Sequence, residues 1–530
     1  METTFEALIN NGDLYRDGKL ILMPAPSRDP KDPLNLSLKR KMIAVFCLTL
    51  FGALAASAEL VLGAMLPVFS IYYSGHDPAY LLRAIDMNGG LPQGNNPLDA
   101  LQLIPGSPPI WLIYLLASLP VLMIGIANLF FIPLAIATGR RPVVLITGVI
   151  AVGGALWAGF SGSLGQHLAA RAIQGIGAGT VESLIPFIIQ DMVHVHERNT
   201  WISACFAAQG VIIIALGIAS PYMILELSWR YVYYVTAGAA GFFLVGCVFF
   251  LPETRFKRSM AEMNGTPRND ANVHYTPRTI WYDIAFKHGK MEWKKGAYAL
   301  VDTLRTFFYP QIFFITMLNS AMIGAALAAG YCVAPALLTR PWSWKFHSIG
   351  LLLIPVLIAA ILMGIITGVG GDWIANWSAR ARGRRVPENQ LLNLIFPTIC
   401  GIVGTVVFGI SGENPDDYHW AVFLFGLALM AFGFLGANTV GAVYVLESYP
   451  HLAGPALVNI ASFRALIAFV LSFRVSEWMI DFGYLNTMLI YTGIMAFFAL
   501  LIPVVYIWGP AWRKRWPATK YGDAREINHT

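Results

Sequence analysis

Twelve apolar runs, each long enough to cross a lipid bilayer, are the feature that most constrains how this chain can fold. An α-helix needs about twenty apolar residues to span the hydrocarbon core. Hydrophobic residues make up 56% of the 530 residues and charged residues only 12%, about half the charged share of a soluble domain. The sequence therefore predicts an all-α integral membrane protein with twelve spanning helices in the lipid bilayer. The runs lie at 42–70, 110–137, 142–162, 166–190, 200–224, 230–251, 308–331, 347–370, 391–411, 420–446, 456–478 and 485–508.

The largest polar gap between the runs separates six of them from the other six. Its position predicts two helical bundles of equal size, joined by a central loop and flanked by polar tails. The predicted segments are an N-terminal tail (1–41), a first six-helix bundle (42–251), the central loop (252–307), a second six-helix bundle (308–508) and a C-terminal tail (509–530).

The distribution of basic residues predicts the orientation. With the N-terminus inside, 29 of the 36 Lys and Arg residues fall in inside segments and four in outside loops. Because loops rich in Lys and Arg stay on the cytoplasmic side, both termini are predicted to be cytoplasmic. The first outside loop, about 73–109, is unusually long. Its turn-forming residues predict a surface loop that partly caps the outer mouth.

Several function classes find no support in the sequence. The net charge of +6 is spread between the apolar runs rather than gathered in one patch, so no nucleic-acid partner is expected. The five cysteines lie in or beside apolar runs without a CxxC pair, and the stretch HVHER, His194–Arg198, has no third ligand nearby in sequence. No GxxxxGK[ST] phosphate loop occurs. We therefore expect no metal, no cofactor and no enzymatic activity.

Two short loops occupy matching positions in the two halves, each after the second run of its half. One is PLAIATGRRPVVLIT, Pro133–Thr147, and the other is GVGGDWIANWSARARGRR, Gly368–Arg385. Both combine glycine with arginines. Corresponding signals in two six-helix halves indicate internal duplication, which is typical of transporters that bind their substrate between the halves.

Together with further motifs, these loops make the chain resemble the major facilitator superfamily (MFS), and within it the fungal drug:proton antiporters with twelve spans. GRRP resembles the end of the family's loop motif, RAIQGIGAG its fourth-span motif, and LPETRF its exit from the sixth span. YVLESYP followed by NIASFR resembles the signature of spans ten and eleven in the fungal members. These stretches are Gly139–Pro142, Arg171–Gly179, Leu251–Phe256, Tyr444–Pro450 and Asn459–Arg464. The resemblance covers about 40–510 and implies the MFS fold, two six-helix bundles around a central cavity that move by alternating access.

The sequence departs from the family pattern in two places. Ile136 stands where the first loop motif has an acid, whereas Asp372 keeps the acid in the second half. The first loop is therefore expected to lack the charge contacts that the second can make. The region Ala215–Ile224 lacks the Gly-Pro pair that the antiporter group carries in span five.

Two glutamates inside spans are the candidate proton carriers. A charged side chain inside a bilayer costs at least about 2.5–3.5 kcal/mol and indicates a functional site by default. Glu182 in the fourth span and Glu59 in the first are therefore expected to exchange protons with the medium. For Glu59 the alternative is a hydrogen bond between helices, because small residues flank it.

Arg171 and Gln174 are expected to line the substrate cavity. Arg171 and Glu182 are eleven residues apart, about three turns and 20°, so they share one face of a helix with Gln174. The resemblance implies that this span faces the central cavity. Because roughly 16 Å of helix separates Arg171 from Glu182, the two cannot pair directly.

Charged residues near the inner ends of the spans are interpreted as a cytoplasmic gate of breakable contacts. Arg140, Arg141 and Asp372 lie in the two matching loops. Glu447 ends the tenth run, and Arg464 begins the second turn of the eleventh. For Glu447 and Arg464 the alternative is end-capping and snorkelling.

The expected function is secondary active transport by a monomer, most simply proton-coupled efflux of a drug or secondary metabolite across the plasma membrane. The expected partners are a small organic substrate and protons. Two alternatives stay open: proton-coupled uptake of an organic cation such as a polyamine, and a non-transporting nutrient receptor on the same fold. The substrate itself is not fixed, because the shape of the cavity depends on helix rotations.

Overall fold

The computed structural model describes most of the chain, and the structural statements below concern the described residues. Some residues within these ranges are described by their backbone alone. The described residues are 15–16, 19–20, 22, 24–60, 65–91, 105–258, 262, 274–286, 289–369, 374, 377, 387–449 and 452–516.

The first half is built almost entirely of helices. A two-residue antiparallel pair, β1 (Tyr15–Arg16) and β2 (Lys19–Leu20), and a 3-10 turn at Pro33–Asn35 precede them. The helices are α1 (Leu38–Leu60), α2 (Leu66–Tyr73), α3 (Pro78–Met87), α4 (Ile110–Thr138), α5 (Arg140–Phe160), α6 (Leu164–Ala178), α7 (Val181–Met192), α8 (Val195–Glu226) and α9 (Trp229–Phe250).

The second half follows two helices of the connecting segment. These two are α10 (Ile280–Ile284) and α11 (Trp293–Thr306). The helices of the second half are α12 (Pro310–Leu338), a 3-10 turn (Phe346–Leu352) continued by α13 (Leu353–Met363) and a π-helical turn (Gly364–Val369), a 3-10 turn (Pro387–Gln390) continued by α14 (Leu391–Glu413), α15 (Trp420–Ser448), α16 (Ala453–Ser472), α17 (Val475–Leu500) and α18 (Ile502–Arg515).

Among the described residues, eleven helical segments are long and apolar enough to cross a membrane. The first predicted run corresponds to α1 and α2, which flank residues 61–64 outside the described ranges. Most predicted runs coincide with helices to within a few residues. The largest difference concerns the twelfth run, predicted at 485–508, whose helix α17 is Val475–Leu500; in addition, α12 continues to Leu338, and α16 begins at Ala453 and ends at Ser472. The turn at Phe473 and Arg474 separates α16 from α17, although both flanks are apolar.

The glycines of RAIQGIGAG allow α6 to approach its neighbours closely. A Cβ atom on Gly177 would collide with the backbone of Ala151 in α5. One on Gly175 would lie 2.8 Å from the backbone of Pro120 in α4. Small residues where helices cross are the usual means of tight packing in membranes. The motif then ends at Gly179, and the fourth run continues as a second helix, α7.

The described ends of the chain lie on the same side of the molecule, called here the terminal face. Before α1, Asp32 pairs with Arg258, which follows α9, at 2.6 Å. In α18, the carbonyl of Gly509 accepts a 2.9 Å hydrogen bond from Gln311 at the start of α12. The other ends of the spans form the opposite face, which carries α3. The two halves pack together along α4 and α16 and along α8 and α13.

Two segments predicted as loops contain short helices. In the first outer loop, α3 begins after Asp77, whose side chain accepts from the Ala79 amide at 3.0 Å. In the central loop, α10 begins after Thr279, whose hydroxyl accepts from the Tyr282 amide at 3.2 Å. Such helices depend on capping and on packing against the bundles rather than on a long apolar run. A search for apolar runs therefore does not detect them.

Candidate functional site

Arg171 and Gln174 form a buried polar pair within the first half. Arg171 is completely buried, and Gln174 is 3% exposed. The Arg171 guanidinium donates to Gln174 Oε1 at 2.5 Å and to the Leu116 carbonyl of α4 at 3.1 Å. It also stands over the Tyr233 ring of α9, 6.0 Å from its centroid. These contacts join α4, α6 and α9, so the pair holds three helices of one half together.

His167 extends this polar network by one helical turn. Its Nδ1 lies 2.9 Å from the Tyr73 hydroxyl, and its Nε2 lies 2.9 Å from the Tyr233 hydroxyl. The ring stacks on Trp229 with centroids 5.3 Å apart. A hydroxyl can donate or accept, so the neutral imidazole is satisfied in either tautomer. The buried ring therefore links α2, α6 and α9 without needing a charge.

Arg464 links helices of the second half, as Arg171 links helices of the first. It is the twelfth residue of α16, so it lies about 16 Å along the helix from the terminal face, deeper than the second turn expected from sequence. Its Nη1 donates to Asn438 Oδ1 of α15 at 2.6 Å, and its guanidinium stands over Phe434. Only 5% of Arg464 is exposed. It joins α15 to α16 away from Arg140 and Arg141.

Arg140 and Arg141 belong to a buried cluster at the terminal face, called here the first clamp, together with Asp191 and Glu253. Arg140 Nε pairs with Asp191 at the end of α7 at 3.1 Å. The Glu253 carboxylate, just after α9, accepts from the backbone amides of Arg140 and Arg141 at 3.0 and 3.3 Å. Arg141 donates to the carbonyls of Val248, Ile284 and Ala285 at 2.6–2.7 Å.

The backbone of the first clamp requires a glycine at the end of α4. Gly139 has a φ of 127°, a left-handed conformation that disfavours other residues. A Cβ atom there would also collide with the Glu253 carboxylate. Every described partner in the clamp belongs to the first half or to the connecting segment. The clamp therefore ties the start of α5 to the ends of α7 and α9.

The second half contains a buried ion pair at the matching positions, called here the second clamp. Glu388 stands at the start of the ninth span, where the first half has Arg140 at the start of the third. Arg513 of α18 follows the twelfth span, where the first half has Glu253 after the sixth. Arg513 pairs with Glu388 at 2.8 Å, and Glu388 is completely buried. Both halves thus tie the same two positions together, through the Arg140 backbone amide in the first half and through an ion pair in the second.

The halves are joined at the opposite face by contacts called here the latch: Asp86, Asn88, Gly89, Arg340 and Phe346. Asp86 of α3 accepts from the Phe346 amide at 3.0 Å. Arg340 donates to the carbonyls of Asn88 and Gly89 at 2.7 and 3.2 Å. The segment that carries α3 therefore reaches across to the second half.

Close packing between spans continues inward from the latch. A Cβ atom on Gly350 would lie 2.6 Å from the Ile218 backbone of α8, so these two segments are in direct contact. The Tyr114 and Tyr331 rings of α4 and α12 meet edge to face, with centroids 6.1 Å apart. These contacts close the opposite face in this conformation.

The predicted site residues fall into three groups. Arg171 with Gln174, and Arg140 with Arg141, are brought together, whereas Arg464 lies apart from both pairs. Asp372 lies outside the described residues. The side chains of Glu59, Glu182 and Glu447 are also outside the description, although they belong to α1, α7 and α15.

Four clamp residues escaped the sequence analysis as site residues: Asp191, Glu253, Glu388 and Arg513. Glu253 is the acid of the LPETRF motif, so the motif itself was a usable signal. Glu388 and Arg513 lie at the ends of apolar runs, where charge is ordinary, and nothing in the sequence singles them out. Among the described residues, no group of three His, Cys, Asp or Glu side chains is placed to hold a metal ion.

Comparison with known proteins identifies similar transporters. The profile of the Major Facilitator Superfamily matches residues 106–409, more than half of the chain. An uncharacterised MFS-type transporter of Schizosaccharomyces pombe is 22% identical, with 96% of this chain and 90% of that protein covered. Protein HOL1 of Saccharomyces cerevisiae is 21% identical, with 96% and 94% covered. Multidrug transporter TPO1_2 of Candida glabrata is 24% identical, with 75% and 68% covered.

Solved structures share the fold. The xylose transporter XylE of E. coli, in a partially occluded inward-open conformation, aligns with a TM-score of 0.58 at 13% identity, covering 88% of this chain and 98% of that one. The human organic anion transporter MFSD10 aligns with a TM-score of 0.53 at 18% identity, covering 88% and 100%. At these identities the likeness concerns the fold alone, and the predicted all-α fold is confirmed.

Proposed function

The chain belongs to the major facilitator superfamily, and on that premise we propose that this transporter exports a small organic molecule in exchange for protons. The two halves rock about a substrate site between them, so that the site opens to one face at a time. Similarity to a multidrug transporter of Candida glabrata supports an organic substrate.

The observation that carries the proposal is the latch. It joins the two halves at the opposite face through Asp86 and Arg340, beside the backbone hydrogen bonds of Leu91 with Leu338 and Arg340. These polar contacts lie at a rim where the halves separate when that face opens. A closure of this kind can be made and broken in each cycle. The clamps, by contrast, hold each half together, so that each half can move as one body.

Proton coupling is assigned to Glu182, with Glu59 as the second carrier. Glu182 is the second residue of α7, directly after the interruption at Gly179 and Thr180. A proton taken up from outside competes with the substrate for the same conformations. Because a ligand shifts two states only by its differential affinity for them, such competition is sufficient for coupling.

The remaining predicted residues take supporting roles in the proposal. Arg171 and Gln174 fix the helices that border the substrate site. Asp372 and Glu447 are the terminal-face gate, and Arg140, Arg141 and Arg464 hold the helices that the gate moves. The terminal face is cytoplasmic and the membrane is the plasma membrane, an orientation supported by the 29 of 36 basic residues on that side.

The test is flux in proteoliposomes under an imposed pH gradient, with a panel of neutral, cationic and anionic organic compounds. Export predicts that substrate moves against the proton gradient and that collapsing the gradient abolishes accumulation. Movement of substrate together with protons would replace export by uptake. A protein that binds a compound but never transports any would overturn the proposal in favour of a receptor.

A further inference from the structure

The helix α11, between the halves, exposes an apolar face and buries a polar one. Trp293, Val301 and Leu304 are 59%, 58% and 45% exposed, and Phe308, just beyond the helix, is 76% exposed. At 100° per residue, Trp293, Ala297, Val301 and Leu304 lie within an arc of about 80°. A helix surrounded by water would expose its charged residues and bury these.

The packed face of α11 consists of small and polar residues. Gly296, Ala299, Thr303 and Thr306 are the buried positions of the helix. A Cβ atom on Gly296 would lie 2.7 Å from the Pro133 carbonyl of α4. The Thr303 carbonyl accepts from Asn459 Nδ2 of α16 at 2.7 Å. The polar face of α11 therefore packs against helices of both halves. Its apolar face points away from the protein.

The position of α11 places that apolar face at the edge of the membrane. The Glu292 amide, just before the helix, donates to the carbonyl of Ala137, next to the end of α4 at the terminal face. Thr303, near the other end of α11, reaches Asn459, which is seven residues into α16. With fourteen residues the helix cannot cross a bilayer. It lies across the inner ends of two spans, at the depth of the interface.

Basic and aromatic side chains border the apolar face. Around the helix axis, Lys294 and Arg305 lie about 100° and 120° from Trp293, and Tyr298 lies about 140° from it. Trp281 of α10, 83% exposed, adds a second exposed indole to the same segment. Cations beside an apolar stripe, with tryptophan and tyrosine at its edge, are the composition of helices that lie in a membrane interface and attract anionic lipids.

We propose that α11 is an interfacial helix that binds anionic phospholipids of the leaflet at the terminal face. Trp293, Val301, Leu304 and Phe308 enter the acyl region, and Lys294 and Arg305 contact the headgroup phosphates. Because the same helix contacts α4 of one half and α16 of the other, bound lipid stabilises the joint between the halves. The inference does not depend on the transported substrate or on proton coupling.

Spin labels can measure where the apolar face lies. The full chain, with its five cysteines replaced by alanine, would carry one label in liposomes through Val301→Cys. Phe249→Cys on the spanning helix α9 is the lipid-facing reference, and Arg28→Cys in the exposed tail is the water-facing one. We expect Val301 to match Phe249 in its high collision rate with oxygen and low rate with a water-soluble nickel chelate. A label that behaves like Arg28, or that is shielded from both, would overturn the proposal, because water or protein then covers the face.

Lipid composition tests the headgroup contact. Thermal unfolding would be compared in liposomes of phosphatidylcholine alone and with phosphatidylserine added. We expect phosphatidylserine to raise the Tm of the wild type, and Lys294→Gln with Arg305→Gln to lose at least half of that rise. The control is Lys39→Gln with Lys514→Gln, which removes the same charge from exposed positions at the same face and should keep most of it. If phosphatidylserine raised the Tm of both double variants equally, the assignment of Lys294 and Arg305 to headgroup contacts would be overturned.

Discussion

At the scale of single residues, Arg171 shows how a buried charge can be structural. Its Nε and Nη1 donate to acceptors on two different helices, Leu116 and Gln174. One ammonium group cannot reproduce this fork. Arg171→Lys should therefore lower the free energy of unfolding about as much as Arg171→Gln, by about 1–3 kcal/mol, measured by thermal unfolding in detergent.

Arg230 provides the matched control. A single nitrogen of Arg230, Nη2, donates both to the Tyr72 hydroxyl at 2.8 Å and to the Ser161 carbonyl at 3.0 Å. A lysine ammonium can make both bonds, so Arg230→Lys should be much milder than Arg230→Gln. If Arg171→Lys were equally mild, charge alone would matter at Arg171 and the geometric argument would be wrong.

Glu182 is the residue on which the proposed coupling depends. Glu182→Gln keeps the size and hydrogen bonding of the side chain but removes its titration. Uphill flux should collapse, whereas substrate exchange without a pH gradient should survive, both measured in proteoliposomes. Glu226→Gln, at the exposed end of α8, makes the same change outside the membrane and should leave both activities intact. If Glu182→Gln transported uphill at the wild-type rate, Glu182 would not be the proton carrier, and Glu59 would be the remaining candidate.

The sequence singled out Arg171 and Gln174 because polar side chains inside apolar runs are costly and therefore conspicuous, and their place in a substrate cavity stays a prediction. It placed Arg464 too near the terminal face, because the run began three residues late and because the ninth residue of that run already lies in the third turn rather than the second. It did not single out Asp191, since an acid at the end of a span is unremarkable until the fold brings Arg140 beside it.

At the scale of elements, both clamps tie the start of a span to the end of its half, through backbone amides in the first half and through an ion pair in the second. Arg513→Gln would leave Glu388 completely buried without its cation, which costs about 3–5 kcal/mol of unfolding free energy. Adding Glu388→Gln to that variant should recover part of the loss, because no unpaired buried charge remains. Denaturant unfolding of the two single variants and the double variant would measure the coupling, and strictly additive losses would contradict it.

Acid should weaken the start of α11 through Glu292. Burial raises the pKa of this carboxyl, but hydrogen bonds from Lys257 and Lys295 outweigh it and lower the pKa to about 2, from a usual value of 4.5. A pKa lowered by folding stabilises the protein above the unfolded value. The difference in Tm between wild type and Glu292→Gln should therefore be largest above pH 4.5 and shrink as the pH falls towards 2.

A pH series of melting temperatures in detergent checks this prediction, with Glu226→Gln as the control at an exposed ion pair. The two variants test different environments, because Glu226 pairs with Arg83 and is largely exposed. A Tm difference for Glu292→Gln that grew on acidification would mean that the lysines do not hold this carboxylate in its charged form.

Spans could be predicted from sequence because each needs a long apolar run, whatever its neighbours are. The shorter elements could not be predicted in this way. In α11, apolar residues are interrupted by Lys295, Asp302 and Arg305. From sequence the segment is therefore predicted as a polar loop, because the packing of its face of small residues is not visible there. The fourth run was predicted as one helix, and its interruption at Gly179 follows from local backbone geometry that an apolar count does not capture.

At the scale of the whole molecule, the latch sets the balance between closed and open states of the opposite face. Asp86→Ala removes one hydrogen bond between the halves, worth about 1 kcal/mol, and should raise the ratio of open to closed molecules about fivefold. Native Cys332 reports on this change. It is completely buried in α12, six residues before the end of the helix at the opposite face.

The measurement is the rate at which a membrane-impermeant maleimide modifies Cys332, followed by mass spectrometry of its peptide. Asp86→Ala should speed this reaction. Arg83→Ala, on the same helix, removes a contact with Glu226 within the first half and should leave the rate near that of the wild type. Equal acceleration in both variants would mean that α3 acts by its general stability and not through the latch.

The latch also creates a surface with immunological consequences. Residues of α3 and of the stretch from Arg340 to Phe346 come from different halves of the chain, yet they lie side by side while the face is closed. An antibody fragment whose footprint covers both stretches would recognise a composite epitope that exists in one conformation and is pulled apart in the other. Such a fragment would hold the protein shut, and its binding would count the closed molecules in an intact membrane.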